Sequence, residues 1–163
     1  MTSRMELVAG EAREVLVVIG TDDRDALRDA GRFPAYLSLS GGMDPTWLDL
    51  FAEAARAATE RDAPLDFIDA RIELGGTVPT TGDAGPGAEL TIERVDPNWI
   101  SAVAAIPDMT LDGVAGRWID RLEEELGALP REEKPWIREL AGNLVRFCRT
   151  ADRAPDVVFL WSL

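Results

Sequence analysis

The sequence predicts an α+β domain: a sheet of about six strands, mixed or antiparallel, packed against about five helices. Three patterns point there. Leu111, Val114, Ala115, Trp118, Ile119, Leu122 and Leu126 recur at helical spacing, and Ile137, Leu140, Ala141, Leu144, Phe147, Cys148 and Ala151 repeat the pattern. The run Val157-Val158-Phe159-Leu160-Trp161 that follows is apolar without alternation, as in a strand buried on both faces. Earlier segments alternate apolar and polar residues with a period of two, as in strands with one wet face.

In chain order, residues 6–9 read as a short edge strand, and Gly10-Glu11-Ala12 as the turn after it. Residues 14–20 read as a second central strand, because Val15-Leu16-Val17-Val18-Ile19 is continuous, apolar and mostly β-branched. Thr21 is the expected cap of a short helix ending near Ala30. Its first turn holds Asp22, Asp23 and Asp25, and Gly31 stops it. In residues 35–40, Leu37 and Leu39 alternate with Tyr36, Ser38 and Ser40. Gly41-Gly42 breaks that strand, Asp44 caps the next helix and Pro45 starts it, with an end near Arg61.

Residues 67–74 read as a strand with Ile68, Ala70, Ile72 and Leu74 facing inward and Asp69, Arg71 and Glu73 facing outward. Residues 75–87 are rich in Gly, Pro and Thr and are expected to form an exposed, flexible loop. In the return strand, 88–95, Leu90 and Ile92 alternate with Glu89, Thr91 and Glu93. Asp96-Pro97 opens a helix that Pro107 ends, Thr110 is the expected cap of the 111–126 helix, and Gly127 its stop. Two helix starts share the form Asp-Pro-x-Trp, at Asp44 and at Asp96. Asp-Pro begins a helix efficiently, and each Trp is placed to pin its helix against the sheet.

Composition narrows the chemistry. At 163 residues and 46% hydrophobic, residues 1–163 suit one globular domain. No apolar run approaches the ~20 residues of a membrane span, and no signal-type segment leads the chain, so a cytoplasmic protein is expected. There is no histidine, which removes imidazole catalysis and imidazole metal sites. The single cysteine, Cys148, can form neither an intrachain disulfide nor a thiolate zinc cage. It falls on the apolar face of its helix, where a thiol packs as a small hydrophobe. The single lysine, Lys134, belongs to no phosphate-binding loop motif. No cofactor is expected.

The formal charge is −13, from 30 acidic and 17 basic residues, which opposes nucleic acid and anionic membrane as partners. Residues 136–163 carry Arg138, Arg146, Arg149 and Arg153 against Glu139, Asp152 and Asp156, so the acidity lies earlier in the chain.

These features fit a non-enzymatic acidic protein-binding domain, most concretely an immunity- or antitoxin-type inhibitor of a basic partner protein, since complementary charge speeds capture. The expected contact surface is a polar sheet face of Tyr36, Ser38, Asp69, Arg71, Glu73, Thr91 and Glu93. Two other readings stand beside it. Five tryptophans could serve the contacts of a structural subunit in a larger assembly. Asp22, Asp23 and Asp25, just after an expected strand, could instead ligate a metal in a carboxylate-based hydrolase. Asp also favours the first turn of a helix for electrostatic reasons alone.

Overall fold

The unbroken apolar run near the C-terminus needs cover on both faces and neighbours on both edges, and the chain supplies them. A computed structural model describes residues 4–21, 24–39, 43–59, 64–79 and 89–162. Within these, five strands form one sheet: β1 Arg4–Gly10, β2 Ala35–Ser38, β3 Arg71–Pro79, β4 Glu89–Val95 and β5 Asp156–Ser162. The order is β2-β1-β5-β4-β3, and every neighbouring pair is antiparallel. The helices are α1 Ala12–Gly20, α2 Pro45–Ala58, α3 Pro97–Ala104, α4 Asp108–Leu126 and α5 Glu133–Ala151, with a short 3-10 helix at Arg24–Arg28. None of the described helices is long and apolar enough to cross a membrane.

Register divides the side chains between two faces. Met5, Leu7 and Ala9 of β1 lie opposite Trp161, Phe159 and Val157 of β5. With Val95 they meet α2, α3, α4 and α5 on the first face. Val8 lies opposite Val158 and Glu6 opposite Leu160. On this second face Val8, Val158, Leu160, Leu90 and Ile92 group with Val15 and Val18 of α1, Leu27 and Phe33.

Aromatic rings organise the first face. Phe67 meets Trp99 and Phe159 edge-on, each at 5.0 Å between ring centres. Trp118 meets Phe51 at 5.0 Å and donates its indole N–H to the Trp47 carbonyl at 2.8 Å. Both Asp-Pro helix starts are capped as expected: the Asp44 and Asp96 carboxylates accept from the backbone N–H of Thr46 and Asn98, each at 2.8 Å. Their tryptophans diverge, however. Trp99 reaches the sheet side through Phe67, whereas Trp47 packs on Trp118 and Trp136 of neighbouring helices.

Several expected elements change. The sheet has five strands because residues 14–20 belong to α1 instead of a central strand. Val15 and Val18, three apart, are buried while Val17 is 55% exposed, which is a helical period. Packing against the sheet outweighs the β-propensity of the run. β1 is an interior strand between β2 and β5, not an edge. The short helix expected to end near Ala30 is the 3-10 helix alone.

Residues 67–70 form a turn, and Ile68, expected to face inward, is 59% exposed. β3 starts at Arg71 and continues to Pro79, so the first part of the expected 75–87 loop is strand, with a register shift between Glu73 and Thr77 across Gly75-Gly76. The remainder of that loop lies outside the described residues. α4 begins at Asp108 after Pro107, with no cap from Thr110, and ends where expected at Gly127, whose φ of 90° suits glycine. α5 starts at Glu133, about one turn before its first periodic apolar residue, Ile137.

Candidate functional site

The seven residues expected to share a sheet face do not form one surface. Tyr36 and Ser38 lie opposite Val8 and Glu6, on the second face. Thr91 and Glu93 lie opposite Trp161 and Phe159, on the first. Arg71 and Glu73 occupy register positions opposite Val95 and Glu93, also on the first. Asp69 is exposed in the turn before β3. Alternation shows which residues of one strand share a side, but not which side faces the core layer, so it could not relate Tyr36 to Glu93. Asp22, Asp23 and the side chain of Glu73 lie outside the described residues. Asp25 is exposed on the 3-10 helix, and the described residues contain no group of three or more metal-ligating side chains placed to hold an ion.

On the first face, Glu93 is already committed. Its Oε1 accepts from the Trp161 indole at 2.7 Å and from Arg71 Nη1 at 3.3 Å. The Arg71 and Glu93 side chains are 12% and 14% exposed, and the guanidinium lies 5.5 Å from the Phe67 ring centre. Such a pair resists separation, since either charge alone would be stranded in a poorly hydrated place. Nearby, the Asp49 carboxylate accepts from the Ile68 N–H at 2.7 Å. Burial pushes its carboxyl pKa up, while that hydrogen bond and the Arg71 charge act the other way. Arg56 holds Asp66 at 2.6 Å and the Pro64 carbonyl at 2.9 Å, which ties the 64–70 turn to α2.

On the second face, Glu6 is 3% exposed and accepts from the Tyr36 hydroxyl at 2.9 Å. Burial raises the Tyr36 pKa, and the Glu6 charge raises it further. Arg28 of the 3-10 helix sits 5.5 Å from the Tyr36 ring centre. Sequence reading passed over Glu6 because β1 read as an edge strand, where a carboxylate stays wet. Cys148 is fully buried, and burial raises its thiol pKa far above the usual range, which leaves no thiolate for nucleophilic chemistry.

A group of accessible carboxylates lies on the helical layer. Arg121 of α4 takes Glu53 of α2 at 2.9 Å, Glu125 at 3.6 Å, and Glu124 in a close pair. Glu53, Arg121 and Glu124 line an open cleft of about 390 Å³ between α2 and α4, together with Asp120, Arg117, Ala54 and Ala57. Further along the layer Asp112 pairs with Arg138, Asp108 with Arg149 and Glu123 with Lys134. Glu123, Glu124 and Glu125 fall off the apolar stripe of α4, as solvated side chains do, and no sequence pattern singles out Glu53. Glu53 and Arg121 are 68 residues apart, and no local pattern joins them.

No known protein-family model matches the chain, and no solved structure matches its fold.

Proposed function

We propose that this protein is a non-enzymatic acidic protein-binding domain, most concretely an inhibitor of a basic partner of the immunity or antitoxin type, and that it engages its partner through the helical layer at the α2–α4 cleft. The observation that supports this reading is the cleft itself, where Glu53 and Glu124 converge on the guanidinium of Arg121 beside Asp120 and Arg117, and Glu125 pairs with Arg121 from outside the lining. Three carboxylates and two guanidinium groups line it, with the small side chains of Ala54 and Ala57 between them. A slot of that shape and charge suits an extended lysine or arginine side chain, the latter with paired hydrogen bonds to a carboxylate. The overall charge of −13 adds long-range steering of a cationic protein. The sheet carboxylates are unsuited to this task because Glu6 is buried, Glu93 is half-buried, and both are hydrogen-bonded.

The test is co-purification from the native host followed by binding kinetics. A stoichiometric basic partner is expected, with an association rate that falls steeply as the screening length shrinks from ~8 Å at physiological salt to ~3 Å at 1 M, and a dissociation rate that changes little. The triple charge reversal Glu53→Lys, Asp120→Lys and Glu124→Lys should slow association by at least ~10-fold at low salt, whereas Asp69→Lys should leave it unchanged. Binding that ignores both salt and the triple reversal, or that is damaged by Asp69→Lys instead, overturns the proposal.

A further inference from the structure

Among the described residues, the second face of the sheet is covered by far less chain than the first. Val15 and Val18 of α1, with Leu27 and Phe33, close over Val8, Val158, Leu160 and Ile92. α1 has nine residues, fewer than the ~12–15 at which an isolated helix becomes even marginally stable in water. Its own N-cap residue, Glu11, makes no side-chain cap. The cap comes instead from the far end of the chain. Asp156, the first residue of β5, accepts from the Ala12 N–H through Oδ2 at 3.1 Å, and its Oδ1 faces Arg94 Nη1 of β4 at 3.7 Å. Asp156 also lies opposite Gly10 in the sheet register, beside the point where the chain leaves β1 for α1. The Arg32–Glu14 ion pair, at 2.9 Å, joins two parts of the cover to each other and does not hold it to the sheet.

We infer that Asp156 is a latch, and that α1 and the 3-10 helix open together from the sheet while the four helices of the first face stay folded. One carboxylate is shared between the two structures: it terminates α1, where backbone N–H groups lack helical partners, and it is anchored to β4 and β5, which belong to both cores. Opening breaks this cap and the Arg28–Tyr36 contact and uncovers the apolar side of β1 and β5. Among the described residues the other face shows no comparable weak point, since α4 packs on both α2 and α5 and all three share one core with the sheet.

Amide hydrogen exchange on the full chain tests this. In the wild type, α1 and the 3-10 helix should exchange at least tenfold faster than α4 and α5. Asp156→Ala should speed exchange in α1 and the 3-10 helix by about a further tenfold, the size of a lost helix cap, and leave α4 and α5 unchanged. Asp156→Asn keeps an acceptor oxygen and should fall between. If Asp156→Ala does not fold, the wild-type profile and Asp156→Asn decide. Equal protection of α1 and α4 in the wild type, uniform acceleration of every element, or an α1 rate indifferent to Asp156 each overturns the proposal.

Discussion

Beneath α2, α3, α4 and α5, the first face of the sheet is closed by large rings, with Phe159, Phe67 and Trp99 in contact and Trp118 wedged against Phe51. The opposite face of the same strands is closed by Val15 and Val18 of a nine-residue helix, Leu27 of a 3-10 helix and the ring of Phe33. The polar groups follow the same division. On the first face Arg71, Glu93 and Trp161 form a half-buried knot at the β3–β4 side. On the second, Glu6 and Tyr36 share a hydrogen bond at the β1–β2 side, with the exposed Arg28 over the ring. The difference teaches that burial, more than residue type, decides which carboxylates are available. Glu93 and Glu6 are tied into the fold, while Glu124, Glu125 and Asp120 project from the helical layer.

If the faces carry unequal shares of stability, removing a ring from the heavy side should cost the most. Trp118→Ala removes a buried indole and its hydrogen bond to Trp47, and should cost about 3–5 kcal/mol. Val18→Ala on the light side should cost only ~1.6 kcal/mol, two buried methylene equivalents. Denaturant midpoints measure both, and similar losses would break the comparison.

Glu93→Ala should cost about 3 kcal/mol, because the Arg71 charge is left poorly hydrated and unpaired and the Trp161 indole loses its acceptor. Glu14→Ala removes the partner of Arg32 in a pair that is 40% and 48% exposed, and should cost under ~1 kcal/mol. A Glu14→Ala loss as large as that of Glu93→Ala would show that the second-face cover is held by its surface charges.

An intermediate effect is expected at Gly10, which has φ 156° and whose added Cβ would lie 2.8 Å from the Phe33 ring. Gly10→Ala should cost about 1–3 kcal/mol through overpacking, with the change in amide exchange concentrated in α1 and around Phe33. A loss spread evenly over α4 and α5 would mean that the two faces unfold as one unit.

Much of the chain was legible because its signals are local. The period of Leu111 to Leu126 and of Ile137 to Ala151 marks α4 and α5, Asp44 and Asp96 mark their helix starts, and Gly127 marks a stop. The unalternating run Val157 to Trp161 marks an interior strand, and β5 has neighbours on both sides. Cys148, placed by its period on an apolar face, is buried. Such patterns are readable because repeat geometry, capping and backbone conformation depend on residues within about a turn of one another.

Tertiary structure alone decided the rest. Val15 to Ile19 is short, apolar and β-branched, a pattern that suits a buried strand or a helix, and only the docking of α1 on Val8 and Val158 selects helix. Which side of β2 matches which side of β4 depends on registers through β1 and β5, so Tyr36 and Glu93 were separated by pairings that no single strand encodes. The contacts on which the proposed function and the proposed latch rest are of this kind. Glu53 meets Arg121 across two helices, and Asp156 caps a helix 144 residues away in sequence. Side chains so far apart are brought together by packing of the whole chain, whose free energy comes from burial summed over both faces and leaves no periodic mark on the residues it joins.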